Sequence, residues 1–277
     1  MLPGMPRAAS SIRILFADVD GTLVGTSGDV SPRVWDAAKQ ARDEGIAIVV
    51  CSGRPAFGGT LDLARRLDPN GFHVFQNGAS IVHLGTGESI SKPISAPVVE
   101  QLITRARETH DFLELYEDSE FAFEGADHVA EEHARLLGIP FQKRPFSALK
   151  SPIVRAQWIL SRARAQPVIE ALTAGYPDLE VTQSTSPLMP DVMFVMQTVR
   201  GVNKGSAVEL IAARADVALA DVMFVGDGDN DVVALTRVGW SVAMGNGSEA
   251  ARAAAKHQVG DVDDGAAADA FALALRS

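Results

Sequence analysis

Ile12-Arg13-Ile14-Leu15-Phe16-Ala17-Asp18-Val19-Asp20-Gly21-Thr22 decides the architecture. A mostly apolar run of strand length stops at an acidic residue, the pattern of a buried strand that ends in a polar turn. Asp18 and Asp20 lie two apart, so in extended backbone both side chains face the same side. Working outward, Ser31-Pro32 supplies an N-cap and a first-turn proline. Val34, Ala37, Ala38 and Ala41 follow at helical spacing, and Gly45 is a stop signal. Residues 46–51 form a second apolar run that leads into Ser52-Gly53-Arg54. Residues 55–67 read as a helix and 73–76 as a third strand; Asn77-Gly78 makes a tight turn into 80–84. This β-α-β-α-β order predicts a parallel sheet with right-handed crossovers, an α/β fold.

The middle of the chain changes character. Residues 97–110 read as a helix, 112–116 and 120–123 as a hairpin, and 129–137 as a helix. A strand at 153–160, a helix at 167–174 and closing strands at 179–183 and 192–198 follow. Helices against antiparallel strands predict an α+β insert. The alternating pattern then resumes, with helices at 204–214, 231–238, 248–256 and 266–275 and strands at 222–225 and 240–244. The expected division is a leader at 1–11, a core made of 12–85 and 189–277, and a cap at 86–188.

Composition agrees with that plan. A chain of 277 residues suggests about two domains. With 47% hydrophobic and 22% charged residues it is globular rather than disordered or collagen-like. One cysteine forms no intramolecular disulfide, and a reducing compartment, the cytoplasm, is expected. No stretch reaches the roughly 18 apolar residues of a membrane span. A formal charge of −10 speaks against nucleic acid and anionic membrane as partners.

In open α/β sheets, ligands bind outside the carboxyl ends of the strands. The residues there are Asp18 and Asp20 after the first strand, Ser52, Gly53 and Arg54 after the second, and Asp227 in Gly226-Asp227-Gly228-Asp229-Asn230-Asp231. Lys204 starts a predicted helix. Several carboxylates without a histidine or cysteine ligand motif suit Mg²⁺, a hard cation that prefers oxygen. A lysine and a metal in an acidic site would hold an anion, and phosphate fits best. The Ser52 hydroxyl and the backbone N–H groups near Gly53 can donate to phosphate oxygens. One aspartate can attack phosphorus, and the second can shuttle a proton to the leaving group.

Asp18-Val19-Asp20-Gly21-Thr22-Leu23 resembles the first motif of the haloacid dehalogenase-like (HAD) superfamily. Ser52-Gly53-Arg54 resembles the second motif, Lys204 in Gly201-Val202-Asn203-Lys204-Gly205 the third, and residues 226–231 the fourth. Gln76-Asn77-Gly78-Ala79 and Ala243-Met244-Gly245-Asn246-Gly247 are similar to the Cof-type phosphatases, whose α+β cap lies between the second and third motifs. The resemblance implies a HAD-like Rossmannoid core with an inserted α+β cap. It makes Asp18 the nucleophile and a Mg²⁺ ligand, and Asp20 the general acid/base that gives its backbone carbonyl to the metal. Asp227 becomes a direct ligand and Asp231 an outer-shell group. Ser52, Gly53, Lys204 and Asn230 would contact the phosphoryl group, with Arg54 and Asn77 as further phosphate or substrate contacts. The implied activity is Mg²⁺-dependent hydrolysis of a small phosphate ester, a sugar phosphate or similar, through an aspartyl-phosphate. A specialised sugar-phosphate phosphatase or phosphomutase of the same superfamily and a non-catalytic metabolite-binding regulator are the alternatives. The oligomeric state is left open.

Other features read as structural. Residues 227–238 fail as a calcium loop, with Val232 at the sixth position and Val238 at the twelfth. Gly85-Thr86-Gly87 lacks the third glycine of a dinucleotide fingerprint, and Lys204 lacks the glycine spacing of a P-loop. Cys51 and Met189, Met193 and Met196 suit packing. His128 and His133 are expected on a solvated helix face, and Arg162 and Arg164 as surface charges or cap contacts to substrate. Arg54 either binds substrate or pairs with an aspartate.

Overall fold

The structure, a computed structural model, describes residues 12–124, 128–136, 144–186 and 189–276. The leader expected at 1–11 and the helix end expected at Leu137 lie outside the described residues. In chain order the elements are β1 (Ile14–Ala17), α1 (Pro32–Asp43), β2 (Ala47–Val50), α2 (Gly58–Leu67), β3 (Phe72–Phe75), β4 (Ser80–His83) and α3 (Ala96–Thr109). Then come β5 (Phe112–Tyr116), β6 (Phe121–Phe123), α4 (His128–Leu136), β7 (Arg155–Ser161), α5 (Arg162–Gly175), β8 (Leu179–Ser186) and β9 (Met189–Val199). The chain closes with α6 (Lys204–Arg214), β10 (Val222–Gly226), α7 (Val232–Arg237), β11 (Trp240–Ala243), α8 (Glu249–Ala254), β12 (His257–Gln258) and α9 (Ala267–Ala274). They fall into two units. One joins the N-terminal residues through Ser52 to Ala64–His73 and Lys204–Ser277, and the other joins Gly53–Leu63 to Val74–Asn203.

The first unit is a parallel sheet in the order β12-β11-β10-β1-β2. Ile14, Leu15, Phe16 and Ala17 are all buried because β1 is covered on both faces and paired on both edges. Helix α1 lays Val34, Ala38 and Ala41 inward and packs against α9. The expected third parallel strand is not in this sheet: β3 pairs with β4 in a sheet of their own. The exposed edge of β2 is closed by a side chain instead. His73 Nδ1 accepts the Val50 N–H at 3.0 Å, while its Nε2 donates to the Asp68 carbonyl at 2.7 Å. That pair of contacts defines the neutral tautomer.

The second unit is an antiparallel sheet in the order β6-β5-β7-β9-β8. Alternation along the strands gives it two unlike faces. Leu113, Leu115, Ala156, Trp158, Leu160 and Val195 pack with Leu102 and Ile103 of α3 and Val168 and Leu172 of α5. The alternate positions carry Glu114, Tyr116, Arg155 and Gln157, all buried. The unit also takes in both sides of the expected cap. The expected boundary puts the chain from Met189 onward with the core, but β9 is hydrogen-bonded to β7 and β8, and the antiparallel unit runs on to Asn203. At the other end, Phe57 stacks on Tyr116 and Phe121 at 6.3 and 5.6 Å, which brings residues 53–63 into this unit.

His133 does not sit on a solvated face. It is 4% exposed, and its Nδ1 lies 2.9 Å from Oε1 of Glu114. Ala130, His133 and Ala134 stand at i, i+3 and i+4, so they share the buried side of α4. The adjacent Glu131 and Glu132 hide that stripe in the sequence. Oε2 of Glu114 accepts from the Tyr116 hydroxyl at 2.7 Å and from Gln157 Nε2 at 2.9 Å. A buried carboxylate is tolerable only with such partners. Truncation in Glu114→Ala takes a hydrogen-bond partner from three buried groups, the Tyr116 hydroxyl, Gln157 Nε2 and the His133 ring. It should cost about 3–5 kcal/mol in a denaturant titration, and a midpoint equal to wild type would contradict this account of the cluster.

Candidate active site

The strand register brings the acidic residues together. Ala17 is level with Val225 on one side and with Val50 on the other, so β1, β10 and β2 end at one edge. From β1 the sheet grows through β2 in one direction and from β10 through β11 and β12 in the other. The strand order therefore switches between β1 and β10, the place where open α/β sheets bind ligands. Asp18 leaves β1 there, its N–H held by the Val225 carbonyl at 3.0 Å.

Lys204 opens α6 and is fully buried. Its Nζ lies 2.8 Å from Oδ1 of Asp18 and 2.7 Å from Oδ1 of Asp231. The other oxygen of Asp231 accepts the backbone N–H groups of Asp227 at 3.0 Å and Gly228 at 2.9 Å. Asp231 thus closes its own loop and anchors the lysine with the same carboxylate. Its Oδ2 packs so close to Gly226 that a Cβ there would fall 2.5 Å away. Asp227 is held by the buried Thr22, whose hydroxyl donates to Oδ1 at 2.7 Å. Gly21 makes that approach possible: its φ is +75°, and a Cβ would meet Asp227 Oδ2 at 2.2 Å. Asn246 secures the same turn, donating to the Gly21 carbonyl at 2.8 Å and accepting from the Val262 N–H at 2.9 Å.

Asp18, Asp227 and Asp231 each offer an oxygen, and these lie within 4.8 Å of one another. Three carboxylates face one ammonium, so the cluster carries excess negative charge. Burial, and then the neighbouring Asp231, push the Asp18 carboxyl up to about 8 against the opposing pull of Lys204. Burial also pushes Asp227 up to about 6, opposed by the Thr22 hydrogen bond. Burial alone would lower the Lys204 ammonium, but Asp18 and Asp231 outweigh it and push the group up, so it stays charged. Cys51 is buried beside this charge cluster, and its thiol is pushed well up by desolvation. An all-oxygen donor set with surplus negative charge fits a hard divalent cation such as Mg²⁺.

The other expected residues divide between the units. Ser52 is fully buried in the first. Asp20 and Asn230 are exposed there, and Asp20 is not one of the three clustered carboxylates. Gly53, Arg54 and Asn77 belong to the second unit. There the Asn77 side chain packs over Gly53, where a Cβ would come within 3.1 Å of its Oδ1. Thr22 and Asn246 lay inside quoted motifs, but their partners are more than 200 positions away. Arg164 pairs with the buried Asp111 at 2.8 Å. Met189 packs with Ile159 and Phe194 as expected.

The chain is similar to known hydrolases and phosphatases. Residues 15–271 match the family model for haloacid dehalogenase-like hydrolases. A curated relative in Yersinia pseudotuberculosis, HMP-PP phosphatase, is 26% identical over 243 residues, covering 84% of each chain. Among solved structures, a haloacid dehalogenase-like hydrolase from Bacteroides thetaiotaomicron superposes with a TM-score of 0.83 at 23% identity, over 95% of this chain and 99% of that one. BT1666 from the same organism, described among the phosphatases of the HAD superfamily, superposes with a TM-score of 0.77 at 25% identity over 99% of each chain. The chain belongs to the haloacid dehalogenase-like hydrolases. It is a phosphatase of that superfamily, a phosphoric monoester hydrolase. No helix among the described residues is long and apolar enough to cross a membrane.

The raised carboxyl groups set a pH dependence. A group that binds its proton more tightly when folded stabilises the fold at low pH and loses that contribution as pH rises. For Asp227 the loss spans the ordinary 3.8 to about 6, and for Asp18 it extends to about 8. In chelator, the melting temperature should therefore fall as pH rises from about 5 to about 8. Asp18→Asn should flatten the upper half of that profile. A variant with the wild-type slope would show that Asp18 is not the group responsible.

Proposed function

We propose that this chain is a Mg²⁺-dependent phosphatase that hydrolyses a small phosphorylated metabolite, a sugar phosphate or similar, through an aspartyl-phosphate on Asp18. The supporting observation is the pairing of Asp18 with the buried Lys204 at the switch point of the sheet, 2.8 Å apart. A carboxylate placed there is oriented through Oδ1, which leaves Oδ2 to act as the nucleophile. The HMP-PP phosphatase and BT1666 likenesses support the same chemistry.

In the first step, Oδ2 of Asp18 forms a bond to phosphorus as the bond to the ester oxygen breaks. Asp20, exposed at the turn after β1, gives its proton to the departing alkoxide. In the second step, Asp20 takes a proton from water, the water oxygen attacks phosphorus, and Asp18 and inorganic phosphate are released. The ammonium of Lys204 offsets charge on the transferring group. Asp231 holds that ammonium and the turn that carries Asp227. The hydroxyl of Ser52 and the side chain of Asn230 are proposed phosphoryl contacts, as are Gly53, Arg54 and Asn77, on their match to the family motifs. A Mg²⁺ ion held by Asp18, Asp227 and the Asp20 carbonyl, with Asp231 behind them, would keep Asp18 ionised at neutral pH and neutralise phosphoryl charge.

Asp18→Asn should reduce phosphate release from para-nitrophenyl phosphate in Mg²⁺ by at least about a thousandfold while the protein stays folded. Undiminished turnover would sink the mechanism. Asp227→Ala should raise the Mg²⁺ concentration for half-maximal activity by at least about tenfold. An unchanged metal titration would remove Asp227 from the ligand set.

A further inference from the structure

A strand in a sheet turns its N–H groups to alternate edges. In β2, Ala47 and Cys51 donate to the Arg13 and Ala17 carbonyls on the side of β1, at 3.0 and 2.9 Å. Val50 therefore points its N–H the other way, and β2 is the last strand of its sheet on that side. Val50 is buried, so its N–H must find an acceptor outside the sheet. His73 supplies that acceptor through Nδ1 at 3.0 Å. Cys51 on β1 and Val50 on His73 thus grip β2 from opposite edges immediately before Ser52, itself fully buried.

The imidazole does this in one protonation state only. Nδ1 accepts from Val50 and so bears no hydrogen, while Nε2 carries the hydrogen given to the Asp68 carbonyl. A second proton on the ring would set one N–H against another. The ring is 0% exposed, so the new N–H has no route to water while the strand end stays in place. The surrounding elements carry more positive than negative charge. Helix α2 ends in Arg65 and Arg66, and Arg42 of α1 donates to the Arg66 carbonyl at 3.2 Å and the Leu67 carbonyl at 2.6 Å. Arg214 of α6 lies 5.5 Å over the ring of Phe72, the neighbour of His73. Cys51 of β2 keeps its proton, and one oxygen of the Asp68 carboxylate accepts the Asn70 N–H at 3.0 Å. An imidazolium among these groups gains little.

We propose that His73 is a positioning residue for the phosphoryl site and makes it acid-sensitive: the neutral imidazole holds the end of β2, and with it Ser52, and protonation of the ring releases that end. This rests on the phosphatase reading above, in which Ser52 is a phosphoryl contact.

Two substitutions separate the contacts of the ring. H73N sets a carbonyl oxygen near the place of Nδ1 and carries no titratable group, whereas H73Q sets an amide near the place of Nε2 and leaves Val50 without its acceptor. The first readout is amide hydrogen exchange at Val50, corrected for the intrinsic rate, with Phe224 of β10 as the reference. Opening the strand end frees an imidazole that takes up a proton below about pH 6.5, so opening is favoured as pH falls through that value. In wild type, protection of Val50 relative to Phe224 should fall about tenfold or more between about pH 7.5 and about pH 5, and in H73N it should change less than about threefold. Wild-type Val50 that keeps step with Phe224 overturns the proposal, and this measurement needs no variant to fold. The second readout is hydrolysis of para-nitrophenyl phosphate in Mg²⁺ at about pH 7.5. There kcat/KM should drop about tenfold in H73Q and stay within about threefold of wild type in H73N. Equal values in the two folded variants overturn the positioning role. Wild type that hydrolyses no phosphate ester refutes the phosphatase reading instead, and the exchange profile then decides by itself whether His73 holds the strand end.

Discussion

The ammonium of Lys204, buried between Asp18 and Asp231, is the contact on which the first unit depends. It joins the end of β1, the start of α6 and the loop after β10, segments that are far apart in the chain. A buried lysine is costly alone, and a buried aspartate is costly alone. Together they are tolerable only while the strand register keeps them within hydrogen-bond distance. The register of β1 against β10 and the site chemistry are therefore one constraint. Slipping a strand by one residue would turn Asp18 to the other face and strand the lysine.

The lysine does not bring the site to neutrality. Burial, together with a cluster of three carboxylates facing one ammonium, holds Asp18 and Asp227 protonated well above the ordinary carboxylate range. A buried carboxyl group ionises more readily with further positive charge beside it, and the oxygen donors suit a hard cation. This resolves an apparent conflict in the composition. A chain with a formal charge of −10 is a poor partner for polyanions in bulk. Yet Asp18, Asp227 and Asp231 are gathered where they could hold a cation, so the local field at the strand ends differs from the average one.

The second unit solves the problem of buried charge in two other ways. Glu114 is surrounded by the neutral donors of Tyr116 and Gln157 and by the imidazole of His133, which complete its hydrogen bonding within the sheet and α4. Burial with Glu114 beside it pushes the Tyr116 hydroxyl well up, so the phenol remains a donor. Arg155 stacks on the ring that Glu114 holds, and among the described residues it forms no salt bridge with a carboxylate. A cluster closed within itself rigidifies a fold.

Much of this was legible along the chain. The apolar run 12–17, the helix stripe Val34–Ala38–Ala41 and the α6 bounds reflect local periodicity and local punctuation, which a sequence states directly. The acidic candidates Asp18 and Asp227 were also legible, because in a parallel sheet the strand ends locate the ligand site. What stayed hidden depends on partners distant in sequence. The Thr22 hydroxyl serves Asp227, Asn246 serves Gly21, and His73 closes the edge of β2 in place of a third parallel strand. His133 looked solvated beside two glutamates, and β9 looked like a core strand, until helix phase and hydrogen bonding assigned them. The sequence by itself determined which segments are strands and helices and which residue types gather at the strand ends, since those follow from spacing. Only the tertiary structure decided which buried charges are matched, as Lys204 is with Asp18 and Asp231, because pairing depends on distances that the fold alone sets.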